Sequence, residues 1–123
     1  MEPIAERPPT DIRVSPDRRL LKLRWAEGEQ DELTAELLRV RSPSAEVQGH
    51  SPDQRRTVVG KRDVAIADIR PVGHYAIRIV FDDGHDSGLF TWRFLAQLSR
   101  EREVSWNGYL QELEEKGLSR DPG

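Results

Sequence analysis

Apolar and polar residues alternate along several stretches of this chain. Ile12 and Val14 are interleaved with polar neighbours, and Leu21, Leu23 and Trp25 are interleaved with Lys22 and Arg24. A period of two puts one set of side chains on one face of a strand. Ser15-Pro16-Asp17 between the two runs is turn chemistry, so the pattern predicts a hairpin with one buried face whose second strand closes at Glu27-Gly28. The clearest strand covers residues 75–81, with Tyr75, Ile77, Ile79 and Phe81 on one face and Arg78 on the other. Asp82-Asp83-Gly84 then predicts a tight turn, and residues 85–90 a strand that pairs on the way back. Val58-Val59 and residues 64–69 are shorter β-type runs separated by Gly60-Lys61-Arg62-Asp63.

Helical spacing takes over elsewhere. Thr34 is an N-cap residue with Glu36 in the following turn and Leu37 and Leu38 inward, which predicts a short helix over residues 34–41 that Pro43 stops. Residues 42–54, with two prolines and Gly49 among polar side chains, predict an irregular surface loop. Thr91 caps a helix carrying Trp92, Phe94, Leu95 and Leu98, and a second helix aligns Trp106, Tyr109, Leu110 and Leu113 before ending at Lys116-Gly117. Strands first, a short helix between, and helices last predict an α+β, two-layer domain. Its sheet is expected to be mainly antiparallel and built from hairpins, with the short helix inserted and the remaining helices C-terminal. Residues 10–117 form that domain, and residues 1–9 and 118–123 are expected to be disordered tails.

Composition narrows the function classes. A chain of 123 residues with 36% hydrophobic content suits one core, burying roughly two thirds of its unfolded surface. Charged residues reach 33%, yet the net charge is −3, so no overall field draws it to polyanions and nucleic acid ranks last among partners. Arginine supplies nearly all the positive charge, with lysine only at Lys22, Lys61 and Lys116, a bias that a GC-rich genome produces by itself. Cysteine is absent, which excludes structural disulfides, thiol catalysis and any metal site built on the chain's own thiolates. No stretch approaches the ~20 apolar residues that cross a bilayer, and the N-terminus lacks a signal-peptide pattern. A soluble cytoplasmic protein with no membrane partner is the expectation.

Few motifs carry chemistry. Gly60-Lys61 fails as a phosphate loop, because Arg55 and Arg62 occupy the positions that need Gly and Ser/Thr. Of His50, His74 and His85, none lies at metal-ligand spacing from another. His85 sits among carboxylates, and Asp83, His85 and Asp86 form a weak alternative site for a divalent metal such as zinc or iron. Turn formation explains the same residues more simply. No serine–histidine–carboxylate order can be defended for catalysis. The aromatic residues read as core first, and any of Trp92, Trp106 and Tyr109 in excess of the core would mark a contact surface.

Several landmarks then recur in a familiar order: Trp25-Ala26-Glu27-Gly28, Leu38-Arg39, Ser42-Pro43-Ser44-Ala45, Pro71-Val72-Gly73-His74-Tyr75-Ala76, and Asp83-Gly84-His85-Asp86-Ser87-Gly88-Leu89-Phe90-Thr91-Trp92. Together they resemble the gamma-butyrobetaine hydroxylase N-terminal-like family, a former domain of unknown function, in a stand-alone, bacterial-type form. The resemblance implies a domain that, in the oxygenases, holds a structural zinc through three cysteines and a histidine. Those positions correspond to Ser42, Ser44, Val47 and His85, so the site is vestigial, no metal or other cofactor is expected, and the imidazole should be dispensable. The oxygenases' iron and 2-oxoglutarate chemistry belongs to another domain. The same domain type accompanies Mrp-type ATPases that handle iron–sulfur clusters, which implies a non-catalytic accessory module that binds a protein partner or itself. The partner's identity is unknown.

Overall fold

The computed structural model describes residues 8–44 and 57–122. Among them the chain runs β1 (Asp11–Val14), β2 (Leu20–Arg24), β3 (Gln30–Thr34), α1 (Ala35–Val40), β4 (Ile66–Val72), β5 (Ala76–Phe81), β6 (Leu89–Thr91), α2 (Trp92–Arg100) and α3 (Arg102–Lys116). The strands form two antiparallel three-stranded sheets, β1-β2-β3 and β4-β5-β6. The fold is therefore α+β, as the element pattern predicts. Among the described residues no helix is long and apolar enough to cross a membrane.

The alternating residues meet in one core. Leu21, Leu23 and Trp25 from the first sheet pack with Ile77, Ile79, Phe81 and Phe90 from the second, and Leu38 and Leu95 close the cluster from α1 and α2. A satellite cluster of Val40, Tyr109 and Leu113 seats α3. Both predicted N-caps form, since Thr34 Oγ1 accepts from the Leu37 N–H at 3.0 Å and Thr91 Oγ1 from the Phe94 N–H at 3.1 Å. Arg18 ties the two sheets together. It adopts a positive φ of 63°, which for an L-residue costs on the order of 1–2 kcal/mol. In that conformation its guanidinium donates to the carbonyls of Ile66 and Ala67, both at 3.1 Å, and its own carbonyl accepts from the Ile66 N–H at 2.8 Å. These bonds occupy the edge of β4.

The structure departs from the sequence expectations at defined places. The strand β3 is absent from the predicted pattern, because Leu33 is its one buried apolar residue. Asp31 replaces a hydrophobe on the same face and is satisfied by the Trp25 Nε1–H at 2.6 Å, a partner that only pairing with β2 brings near. Val58-Val59 forms no strand; the Val58 carbonyl instead accepts from the Tyr109 hydroxyl at 2.6 Å. The expected run over residues 64–69 becomes a strand two residues later, continuing through Pro71 with a register shift between Ile66 and Asp68. Tyr75 lies in the turn before β5 rather than on its buried face, and is 55% exposed. Residues 85–88 are irregular, so the returning strand is only Leu89–Thr91.

The largest correction concerns the C-terminus. Residues 118–122 were expected to belong to a tail, yet Gly60 and Arg62 donate backbone hydrogen bonds to the carbonyls of Ser119 and Arg120. Arg120 grips the buried Glu36 carboxylate with two bonds of 2.7 Å and lies 4.8 Å over the Trp106 ring. The Glu36 side chain is only 7% exposed, so deleting its partner leaves a buried carboxylate uncompensated. Arg120→Ala should therefore destabilise the protein by about 1–3 kcal/mol, a value discounted because Arg120 itself reaches solvent. Thermal denaturation checks this, and an unchanged melting temperature would restore the reading of these residues as a tail.

Candidate functional site

A cluster of buried polar residues lies where the end of α1 meets the turn after β5. Arg41 caps α1, and the chain then turns through Ser42, Pro43 and Ser44. Opposite, the turn that follows β5 places Gly84 at φ 91°, where a side chain is disfavoured. The Gly84 N–H donates to the Phe81 carbonyl at 3.0 Å and the Phe81 N–H to the His85 carbonyl at 2.9 Å. This turn swings the His85 ring inward, 6.0 Å from the ring of Phe81, leaving the residue 7% exposed.

His85 Nε2 lies 3.0 Å from Ser42 Oγ and 3.4 Å from Ser44 Oγ. Ser42 and Ser44 are both buried. The structure thus brings three of the four vestigial-ligand positions together, while Val47 lies outside the described residues. Buried hydroxyls and a buried imidazole satisfy one another here, so the ring expected from the sequence to be dispensable has structural partners. Gly88 completes the corner. A Cβ at this position would overlap Ser42 Oγ and press on Phe90 and Pro43, so the contact requires the absence of a side chain.

Asp83 stands behind the turn. Its Oδ2 accepts from Arg39 Nε at 2.8 Å and Lys61 Nζ at 2.6 Å, and its Oδ1 from the His85 backbone N–H at 3.1 Å. Burial works to raise its pKa, but the hydrogen bonds from Lys61, the His85 N–H and Arg39 outweigh burial and hold it at about 2. The alternative metal set does not assemble: both Asp83 oxygens are engaged, Asp86 is exposed, and the His85 ring faces the serines. Among the described residues no three His, Asp, Glu or Cys side chains converge as metal ligands.

Of the three aromatic contact candidates, Trp92 and Tyr109 are buried and Trp106 is partly so. Trp92 is buried with Nε1 donating to the His74 carbonyl at 2.8 Å, and Tyr109 is fully buried, its hydroxyl pKa pushed up to about 12 by burial and by the charge of Glu36. Trp106 is partly buried between Arg120 and Tyr109. Among the described residues Val104 is the most exposed large apolar side chain, at 74%. It stands off the helical stripe, which gave no reason to single it out.

The model of the gamma-butyrobetaine hydroxylase-like, N-terminal family matches residues 12–96. The chain belongs to this family. Two NMR solution structures are similar to it, one with a TM-score of 0.83 at 45% identity, covering 96% of this chain and 93% of the other. The second has a TM-score of 0.81 at 41% identity, covering 99% and 92%. A crystal structure of a protein of unknown function of the DUF971 family, from Acidithiobacillus ferrooxidans, aligns with a TM-score of 0.64 at 36% identity over 80% of this chain and 98% of that one. No curated protein matches the chain.

In this member of the gamma-butyrobetaine hydroxylase-like N-terminal family, the corner does not suit a zinc ion. Hydroxyls at Ser42 and Ser44 are poor zinc ligands at neutral pH, they already bond the nitrogen a metal would take, and Val47 offers no donor atom.

Two outcomes test the corner. Gly88→Ala should cost about 1–3 kcal/mol by overpacking, and adding Ser42→Ala should recover part of that loss by removing the oxygen it strikes. Denaturant unfolding of both single variants and the double variant supplies the cycle, and strict additivity would refute the contact. Asp83 makes the second test. Because its folded pKa lies below its unfolded value of 3.8, its contribution is complete above about pH 4 and disappears as pH falls through about 2. Asp83→Asn should flatten the pH dependence of the melting temperature in that window.

Proposed function

We propose that this protein is a non-catalytic accessory module acting in the cytoplasm, which works without a metal by docking on a protein partner or on a second copy of itself. The observation that carries this reading is the state of the Ser42–Ser44–His85 corner, where the imidazole is buried and hydrogen-bonded to two hydroxyls instead of facing a cleft. A general base or nucleophile must reach substrate, and this histidine is directed into the protein. The carboxylates that stand nearest in sequence serve as structural ion-pair partners or face solvent. The family resemblance suggests an iron–sulfur or cofactor-handling pathway as the setting. A metal-ion-binding function through His85 and its neighbouring carboxylates is the competing reading, and the direction of the ring weighs against it.

The two readings separate in one set of measurements. Purified protein supplied with ferrous iron, 2-oxoglutarate and gamma-butyrobetaine should yield no succinate above a heat-killed control. Cross-linking in native lysate should enrich the same partner, or the same dimer, with and without a chelator. Succinate formation, or enrichment that vanishes on chelation, would overturn the proposal.

A further inference from the structure

The outer face of the second sheet carries an unusual row of residues. In β5, Ile77, Ile79 and Phe81 point into the core, so Arg78 and Val80 point away from it. The register sets Arg70 of β4 directly opposite Arg78, and Leu89 of β6 directly opposite Arg78 on its other side. Arg70, Arg78 and Leu89 therefore form one line across all three strands. The next rows place Val72 and Val80 on the same face, both partly exposed. Leu89 is 36% exposed.

Like charges directly opposite each other in a sheet disfavour folding, and little in the chain relieves this pair. Arg70 reaches Asp68 Oδ2 at 3.2 Å, but those side chains are 63% and 56% exposed, so solvent screens the contact. Arg78 makes no hydrogen bond or ion pair with another described residue. Paired guanidinium groups beside exposed aliphatic side chains match a ligand that brings carboxylates and apolar groups together. A polynucleotide fits less well, because Asp68 lies on the same face and the chain's net charge is −3.

We propose that the row of Arg70, Arg78 and Leu89, flanked by Val72 and Val80, is the docking surface for an acidic segment of a partner protein that also carries apolar side chains. This deepens the accessory reading and rests on it. Arginine in such a setting anchors an interface through bidentate carboxylate bonds, while the aliphatic neighbours exclude water from them.

The probe is a short synthetic peptide of Asp and Glu interspersed with Leu and Val, titrated into isotope-labelled protein and followed by NMR. Amide shifts should concentrate on Arg70, Val72, Arg78, Val80 and Leu89. Affinity should fall by about tenfold or more in R70Q/R78Q, and equally for a peptide with Asn and Gln in place of its acids. Both arginines are exposed, so the variant should keep a dispersed spectrum, and the neutral peptide tests wild-type protein whatever the variant does. Absence of binding, shifts centred elsewhere, or equal affinity for the neutral peptide would overturn the proposal. Tighter binding of a single-stranded oligonucleotide to the same row would overturn the choice of a protein ligand. A native partner that cross-links equally to wild type and R70Q/R78Q would refute this surface while leaving the accessory reading standing.

Discussion

Ser42 and Pro43 lie so close to the backbone of Gly88 that no side chain fits between them, and the rest of the architecture is arranged around that approach. It joins the end of α1, which follows the first sheet, to the segment leading into β6 of the second. Once they touch, the buried hydroxyls need a partner in a place water does not reach, and the inward turn of His85 supplies it. The turn at Gly84, the inward ring and the bare backbone at Gly88 meet at this one corner. Each would be unremarkable in isolation.

The short helix α1 depends on this closure and reinforces it. Six residues are too few for a helix to persist alone in water, so α1 must be held by what surrounds it. Its charged residues radiate outward to three different elements: Glu36 to Arg120 of the C-terminal segment, Arg39 to Asp83 of the β5 turn, and Arg41 at its C-cap to Glu112 of α3. Partly buried pairs of this kind gain little net stability over hydrophobic replacements, but breaking one is costly. They specify where the helix sits more than they stabilise it. The apolar contacts of Leu38 and Val40 provide the attraction, and the ion pairs select one seating.

Membership of the gamma-butyrobetaine hydroxylase-like N-terminal family shows itself here in the scaffold. Chain positions far apart in sequence still meet, but at the corner they meet through hydrogen bonds among serine and histidine. Hydrogen bonds of this type hold geometry with modest net energy, which suffices because Gly88 and the ion pairs of α1 already constrain the approach.

Local patterns in the sequence carried a large share of the fold. Period-two alternation located β1, β2 and most of β5, and Thr34 and Thr91 marked helix starts, because strand faces and helix caps depend on residues within a few positions of one another. The family's landmarks also named Ser42, Ser44 and His85 as neighbours, information that no local pattern holds. Tertiary structure alone decided the rest. The strand β3 exists because β2 offers a ladder and Trp25 bonds Asp31, so its own polar sequence gives no sign of it. Tyr109 and Trp92 read as core from their spacing, but the Val58 and His74 carbonyls that satisfy their polar atoms are supplied only by the folded chain. Arg120 belongs to the domain because Glu36 is buried, 84 residues earlier. In each case the deciding partner is distant along the chain, and a side chain's role follows from the partner that folding brings to it.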